Sequence, residues 1–118
     1  MPVLDSSAIL NAFPFQFKKG ERLLTVPGVI DELKDLRSKA IAESGIQAGL
    51  LLVTCPSEKS LEKARNASKG LGLSGTDVEV LALAFEEHAE LWTDDHGVQK
   101  AARKLGVKFE PIIHRPVR

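Results

Sequence analysis

"LWTDDHGVQKAARKLGVKFEPII", residues 91–113, decides the fold. Leu91, Trp92 and Thr93 suit a buried strand and run straight into two adjacent acids, Asp94 and Asp95. "HGVQKAARKLG" then places Val98, Ala101, Ala102 and Leu105 on one helical face, and "VKFEPII" returns to strand character. A strand that reaches the next strand through a helix is a parallel crossover unit. The acid pair raises a chemical question as well, because one helix N-cap needs one residue.

The same alternation runs through the rest of the chain. "VLD" at 3–5 is a short strand closed by an acid, and "SSAILNAF" supplies a serine N-cap and helical apolar spacing. "RLLTV" at 22–26 reads as a strand and "PGVIDELKDLRSKAIAES" as one helix opened by Pro27. "GLLLVTC" at 49–55 is apolar without alternation, the pattern of a strand covered on both faces. Pro56 ends it, a helix follows with Ser57 as cap and Gly70 at its end, and "LSGTDVEVLALAFEEHA" is a further helix, apolar almost all round from Val80 to Phe85. The expectation is one α/β domain over residues 1–118, with a mostly parallel sheet and helices on both faces.

Composition narrows the function. The formal net charge is zero, so nucleic acid held by bulk positive charge is excluded; such binding must use a local patch or metal ions. Cys55 is the only cysteine, which rules out an internal disulfide and a cysteine-rich zinc site. No apolar run reaches the roughly 20 residues of a membrane span, and no signal peptide opens the chain, so the expected location is the cytoplasm with no membrane contact. Charge is segregated: Asp77 to Asp95 holds seven acids and no Lys or Arg, whereas Lys100 to Arg118 holds six basic residues against Glu110 alone. Most of these side chains belong to solvated faces. The basic tail "HRPVR" is a weak candidate for phosphate contacts.

The acids fall where a parallel sheet concentrates chemistry. Asp5 and the Asp94–Asp95 pair close strands, and parallel strands point their carboxyl ends to one edge, where ligands bind. One aspartate of the pair can cap the helix. The other, like Asp5, whose helix Ser6 or Ser7 can cap, is left without a structural task. Asp77 fits a capping box opened by Ser74, yet it lies four and seven residues before Leu81 and Ala84, on the packed side of its helix; Glu79 fits a second box from Thr76. On a helical wheel, Val29, Ile30, Leu33, Leu36, Ala40 and Ile41 form the apolar stripe, Asp31 and Asp35 lie opposite, and Glu32 borders it. Glu32 is thus either a rim glutamate or an inward-reaching acid.

Two carboxylates about 4 Å apart repel by roughly 4 kcal/mol at an effective dielectric near 20. A divalent cation removes the conflict, and hard Mg²⁺ or Mn²⁺ suits an all-oxygen set. Acid clusters without a nucleophilic histidine are a mark of metal-dependent phosphoryl chemistry. The scattered histidines His88, His96 and His114 have no ligand spacing; only His96 adjoins the acids. "KGLGLSG" lacks the lysine of a phosphate-binding loop, and Trp92 reads as core.

At this point the sequence resembles the PIN-domain ribonucleases. "VLDSSAIL" is similar to their opening strand and acid, "VPGVIDEL" to the glutamate helix, "LSGTDVEVLALA" to the third acidic motif and "LWTDDHGVQKAARKLGVKF" to the fourth. The resemblance implies an α/β/α sandwich, a pocket of acids binding Mg²⁺ or Mn²⁺, and endonucleolytic cleavage of RNA. Carried over by motif, the catalytic acids are Asp5, Glu32, Asp77 and Asp95, with Asp94 as a further metal ligand. Ser7 and Thr93 match hydroxyl positions that help hold metal or phosphate, and Lys100 and Arg103 are candidate substrate contacts. Within the family the sequence is most similar to archaeal Nob-type nucleases that process small-subunit ribosomal RNA. Those usually continue into a zinc ribbon, for which this sequence has no cysteine set, and Gly97 and Lys100 stand where serine and asparagine are common. A homodimer is compatible with the resemblance.

Three rival readings use the same residues. A VapC-type toxin would pair with an antitoxin that fills the acidic groove. A phospho-receiver domain shares length and acidic pocket, but its paired acids follow the first strand, and Cys55 stands where its phospho-accepting aspartate belongs. A metal- or RNA-binding module without catalysis differs only in activity.

Overall fold

The computed structural model describes residues 1–12 and 22–112; Phe13, Ile113 and the tail 114–118, which carries His114 and the "HRPVR" candidate, lie outside the described residues. The chain order is β1 (Val3–Leu4), α1 (Ser6–Ala12), β2 (Leu23–Thr25), α2 (Pro27–Glu32), α3 (Leu36–Gln47), β3 (Leu51–Val53), α4 (Glu58–Ser68), α5 (Gly75–Glu87), β4 (Leu91–Trp92), α6 (His96–Leu105) and β5 (Phe109–Glu110). All the strand pairs are parallel, in the order β3-β2-β1-β4-β5. The alternation read from the sequence therefore gives the expected α/β architecture. The strands are short, but backbone bonds extend the ladder past them: Thr93 N–H donates to Glu110 O at 3.0 Å and Thr54 N–H to Thr25 O at 2.8 Å.

Strand order fixes where the site lies. From β1 the chain steps outward to β2 and β3, then returns to the other side of β1 for β4 and β5, so the order reverses between β1 and β4. Right-handed crossovers put helices before and after that reversal on opposite faces. Accordingly α1 packs with α2 and α3, while α4, α5 and α6 pack on one another. The register Val3↔Leu91 and Leu4↔Trp92 leaves Asp5 level with Thr93 at the carboxyl edge.

The core explains the apolar helix. Val80, Leu81, Ala82, Leu83 and Ala84 are all buried, because α5 touches β1 and β4 on one side and α4 and α6 on others. Val98, Ala101 and Ala102 of α6 are likewise buried, and Leu105 is half-buried. Trp92 is core as expected, with its indole N–H donating to Glu90 Oε1 at 2.5 Å. No described helix is long and apolar enough to cross a membrane.

Three expectations need correction. The helix read as continuous from Pro27 is broken: Leu33 is extended (ψ 108°), and Asp35 opens α3 as an N-cap whose carboxylate accepts the Ser38 N–H at 3.0 Å. The local cap outcompetes the helical continuation, and Leu36, placed in the apolar stripe, is 85% exposed. The strand at 49–55 is not covered on both faces. It is the sheet's edge, where Leu51 is buried and Val53 exposed. The strand expected over "VKFEPII" contracts to Phe109–Glu110, with Pro111 unable to donate to a ladder.

Candidate active site

Asp5 sits at the reversal point, just past the end of the central strand, and is 4% exposed. Its Oδ1 accepts the Ser7 hydroxyl at 2.7 Å and the Ala8 N–H at 2.9 Å, and its carbonyl accepts the Ile9 N–H. Asp5 is therefore itself the cap of α1, which corrects the expectation that Ser6 or Ser7 caps and leaves it idle. Burial pushes its carboxyl above the ordinary 3.8; bonds from Thr93, Ser7 and Ala8 oppose this, and the charge of Asp77 adds to it.

Thr93, wholly buried, ties the first strand to the fourth. Its hydroxyl bonds Asp5 and accepts the Asp95 N–H at 3.0 Å, which uses both sides of one hydroxyl. Asp95 is exposed and caps α6, its Oδ1 accepting the Val98 N–H at 3.0 Å. Asp94 is half-buried; its N–H donates to Ser7 Oγ at 3.2 Å and its Oδ1 accepts the Ile112 N–H at 2.7 Å. Thus each member of the acid pair holds a backbone donor. The expectation that one of them lacks a structural task does not hold.

Asp77 forms the anticipated capping box, with Oδ2 accepting the Ser74 N–H and its own N–H donating to Ser74 Oγ, each at 3.1 Å. It is half-buried and close enough for its charge to act on Asp5. The second box from Thr76 to Glu79 does not form, because Ser74 holds the cap. Instead Thr76 and Glu79 lie over Gly28, where an added Cβ would meet Thr76 Oγ1 at 2.7 Å. That missing side chain lets α2 lie against the first turn of α5. Glu32, the last residue of α2, is exposed and accepts the Ser6 hydroxyl at 2.6 Å, beside Asp5.

Asp5, Thr93, Ser7, Asp94 and Asp95 are thus linked by hydrogen bonds, Asp77 by charge, and Glu32 through the neighbour of Asp5. Among the described residues Lys100 and Arg103 form no salt bridge with these acids. Both are exposed on α6, about 7.5 and 12 Å along the axis from Asp95, with the Arg103 guanidinium 5.0 Å from the Phe109 ring centre. Sequence reasoning missed Ser6, Gln99, whose amide donates to Thr93 O at 3.0 Å, and Ile112. It also noted Gly97 without a reason: an added Cβ would lie 2.9 Å from Leu73 Cδ2 and 3.2 Å from Asp95 Oδ1.

Among the described residues no three acid, His or Cys side chains converge closely enough to enclose a metal ion. The donor chemistry nevertheless fits a hard cation. A buried carboxylate faces a second acid, all the gathered groups are oxygen donors, and no described Lys or Arg forms a salt bridge with Asp5, Glu32, Asp77 or Asp95. A cavity of about 300 Å³ between the ends of α5 and α6, lined by Phe85, His88, Glu90 and Lys108 among others, contains none of these acids.

A parallel sheet with acids gathered where its strand order reverses defines the class, and the family comparison agrees: the model described as "PIN domain of ribonuclease" matches residues 3–86. The chain belongs to the PIN-domain family of ribonucleases. It is similar to the endoribonuclease Nob1 of Pyrococcus abyssi, 40% identical over 93% of this chain, and to that of Methanocaldococcus jannaschii, 35% identical over 97%. The chain spans 67% and 57% of the lengths of those two relatives. Ribonuclease VapC3 of Aeropyrum pernix is 38% identical over 80% of this chain and 74% of its own length. A solved PilT N-terminus domain protein from Sulfolobus solfataricus shares the fold, with a TM-score of 0.59 at 19% identity, over 99% of this chain and 98% of that one.

Proposed function

We propose that the chain is a Mg²⁺- or Mn²⁺-dependent endoribonuclease of the Nob type, acting on ribosomal RNA in the cytoplasm. The observation that carries this reading is Asp5, a buried acid at the strand reversal whose ionised form is disfavoured by burial and by Asp77, with no described cation beside it. Asp5, Asp77 and Asp95 would hold the metal, with Glu32 completing the acidic rim. Bound there, the ion would activate water and neutralise charge on a scissile phosphate. The chain's own groups do the positioning: Ser7 and Thr93 fix the Asp5 carboxylate, and the Thr93 hydroxyl fixes the first turn of α6 through the Asp95 N–H. Lys100 and Arg103 offer phosphate contacts along α6.

The test is cleavage of structured and single-stranded RNAs in Mn²⁺, Mg²⁺ or EDTA by the wild type and by Asp5→Asn. Metal-dependent cutting that Asp5→Asn abolishes supports the reading. Equal cutting in EDTA, or by the variant, removes it. The similarity to VapC3 favours one further reading, a toxin held by an antitoxin; a small protein that co-purifies with the chain and suppresses cutting would mark it.

A further inference from the structure

Asp94 stands at the middle of a chain of hydrogen bonds that reaches across the site. Its Oδ1 accepts the Ile112 N–H at 2.7 Å, its N–H donates to Ser7 Oγ at 3.2 Å, and Ser7 Oγ donates to Asp5 Oδ1 at 2.7 Å. These bonds join residues 18 and 87 positions apart in sequence. The connection runs without a break from the chain leaving β5 to the buried carboxylate.

The geometry around β5 explains why such a clamp is needed. Among the described residues only Phe109 and Glu110 pair with β4, on an edge of the sheet. Pro111 has no N–H, so Ile112 supplies the first donor past the strand. Ile112 is buried, and a charged acceptor gives a short, strong bond to its amide. Without it the chain would fray from the edge. Accepting one backbone N–H is also something an amide oxygen can do, whereas a metal-ligating carboxylate is not replaced by an amide at equal affinity.

We propose that Asp94 is a positioning residue and not a metal ligand: its side chain clamps the chain leaving β5 onto the catalytic edge, and by that clamp it fixes its own backbone N–H, which steadies Ser7 against the Asp5 carboxylate. The catalytic meaning of Asp5 rests on the nuclease reading above; the clamp itself does not.

The experiment compares the full chain with Asp94→Asn and Asp94→Ala in three measurements: amide hydrogen exchange at Ile112 with the ¹³Cγ resonance of Asp5, Mn²⁺ binding, and RNA cleavage. Asp94→Asn is expected to keep slow exchange at Ile112 and the wild-type Asp5 resonance. In Asp94→Ala, exchange at Ile112 rises by about tenfold or more and the Asp5 resonance moves. Mn²⁺ affinity and kcat stay within about threefold of wild type in Asp94→Asn, while in Asp94→Ala the Mn²⁺ affinity or kcat falls on the order of 10- to 100-fold, as for loss of a group that supports a site without touching the reactants. Loss of Mn²⁺ binding in Asp94→Asn as complete as in Asp94→Ala would make Asp94 a ligand and overturn the proposal. Unchanged Ile112 exchange or an unmoved Asp5 resonance in Asp94→Ala would overturn the clamp. A wild type that neither binds Mn²⁺ nor cleaves RNA would defeat the nuclease reading, while exchange and resonance would still decide the clamp.

Discussion

Replacing Asp95 by asparagine and by alanine separates its structural work from its proposed catalytic work. Its Oδ1 caps α6 through the Val98 N–H at 3.0 Å, and α6 carries Val98, Ala101 and Ala102 into the core. Alanine removes the cap, at about 1 kcal/mol, and the negative charge at the helix start, at roughly 0.3–1 kcal/mol. Asparagine keeps an oxygen for Val98 and loses only the charge contribution. With about 4 °C per kcal/mol for a chain of this size, Asp95→Asn should melt within roughly 4 °C of wild type, and Asp95→Ala roughly 5–8 °C below it. If Asp95 is a catalytic carboxylate, kcat/KM for RNA in Mn²⁺ falls by at least about 100-fold in both variants, a loss of about 2.7 kcal/mol in transition-state stabilisation. The paired assay is thermal unfolding and cleavage on the same preparations. An Asp95→Asn variant that cuts at the wild-type rate while Asp95→Ala loses stability would show that Asp95 is a cap alone, and the reasoning that places it among the catalytic acids would fail.

Asp5 sets the pH dependence: its folded-state value is raised above 3.8, so its contribution to stability is present below 3.8 and is lost as the pH climbs through the raised value. Urea unfolding in EDTA should therefore find Asp5→Asn more stable than wild type at neutral pH, with the gap closing in acid; a less stable variant at neutral pH would contradict the burial argument. Gly28→Ala puts a Cβ 2.7 Å from Thr76 Oγ1 and should cost about 1–3 kcal/mol. Thr76→Ala in the same chain should recover part of that loss in urea unfolding, and no recovery would mean the close approach of α2 and α5 is not what excludes the methyl. Lys100→Ala and Arg103→Ala should each weaken RNA binding and reduce the salt slope by roughly 0.7 per lost phosphate contact, with Mn²⁺ affinity unchanged. Unaltered salt dependence in both would remove α6 from the RNA surface.

The alternation of strands and helices was legible because apolar spacing differs between the two, and the acids at strand ends followed from parallel topology. What the sequence could not separate were roles that use the same residue type. Asp35 reads as an exposed helical acid on a wheel, yet its carboxylate starts a new helix, because an N-cap and a helix surface accept aspartate equally well in the absence of the Ser38 geometry. The run at 49–55 looks the same at the edge or the centre of a sheet; what decides is that no described strand pairs with β3 on the side away from β2, and spacing within the run does not carry that. Asp94 could not be assigned because its partner, Ile112, is not a neighbour in sequence.

The overlap of roles at the acidic edge has a physical origin. Asp5 and Asp95 are the N-caps of α1 and α6, and Asp77 is the third residue of α5, so three helix N-termini supply the acids. Each carboxylate sits where the helix dipole is positive, which favours negative charge by roughly 0.3–1 kcal/mol per site. Repulsion between two carboxylates about 4 Å apart is roughly 4 kcal/mol, so the helix ends lower the cost of gathering acids without cancelling it. Hydrogen bonds from Ser7, Ala8 and Thr93 relieve Asp5 further, and burial still leaves its carboxyl raised. The edge is therefore held together by its caps while Asp5 remains electrostatically unsatisfied, and that is the conflict a divalent cation would relieve.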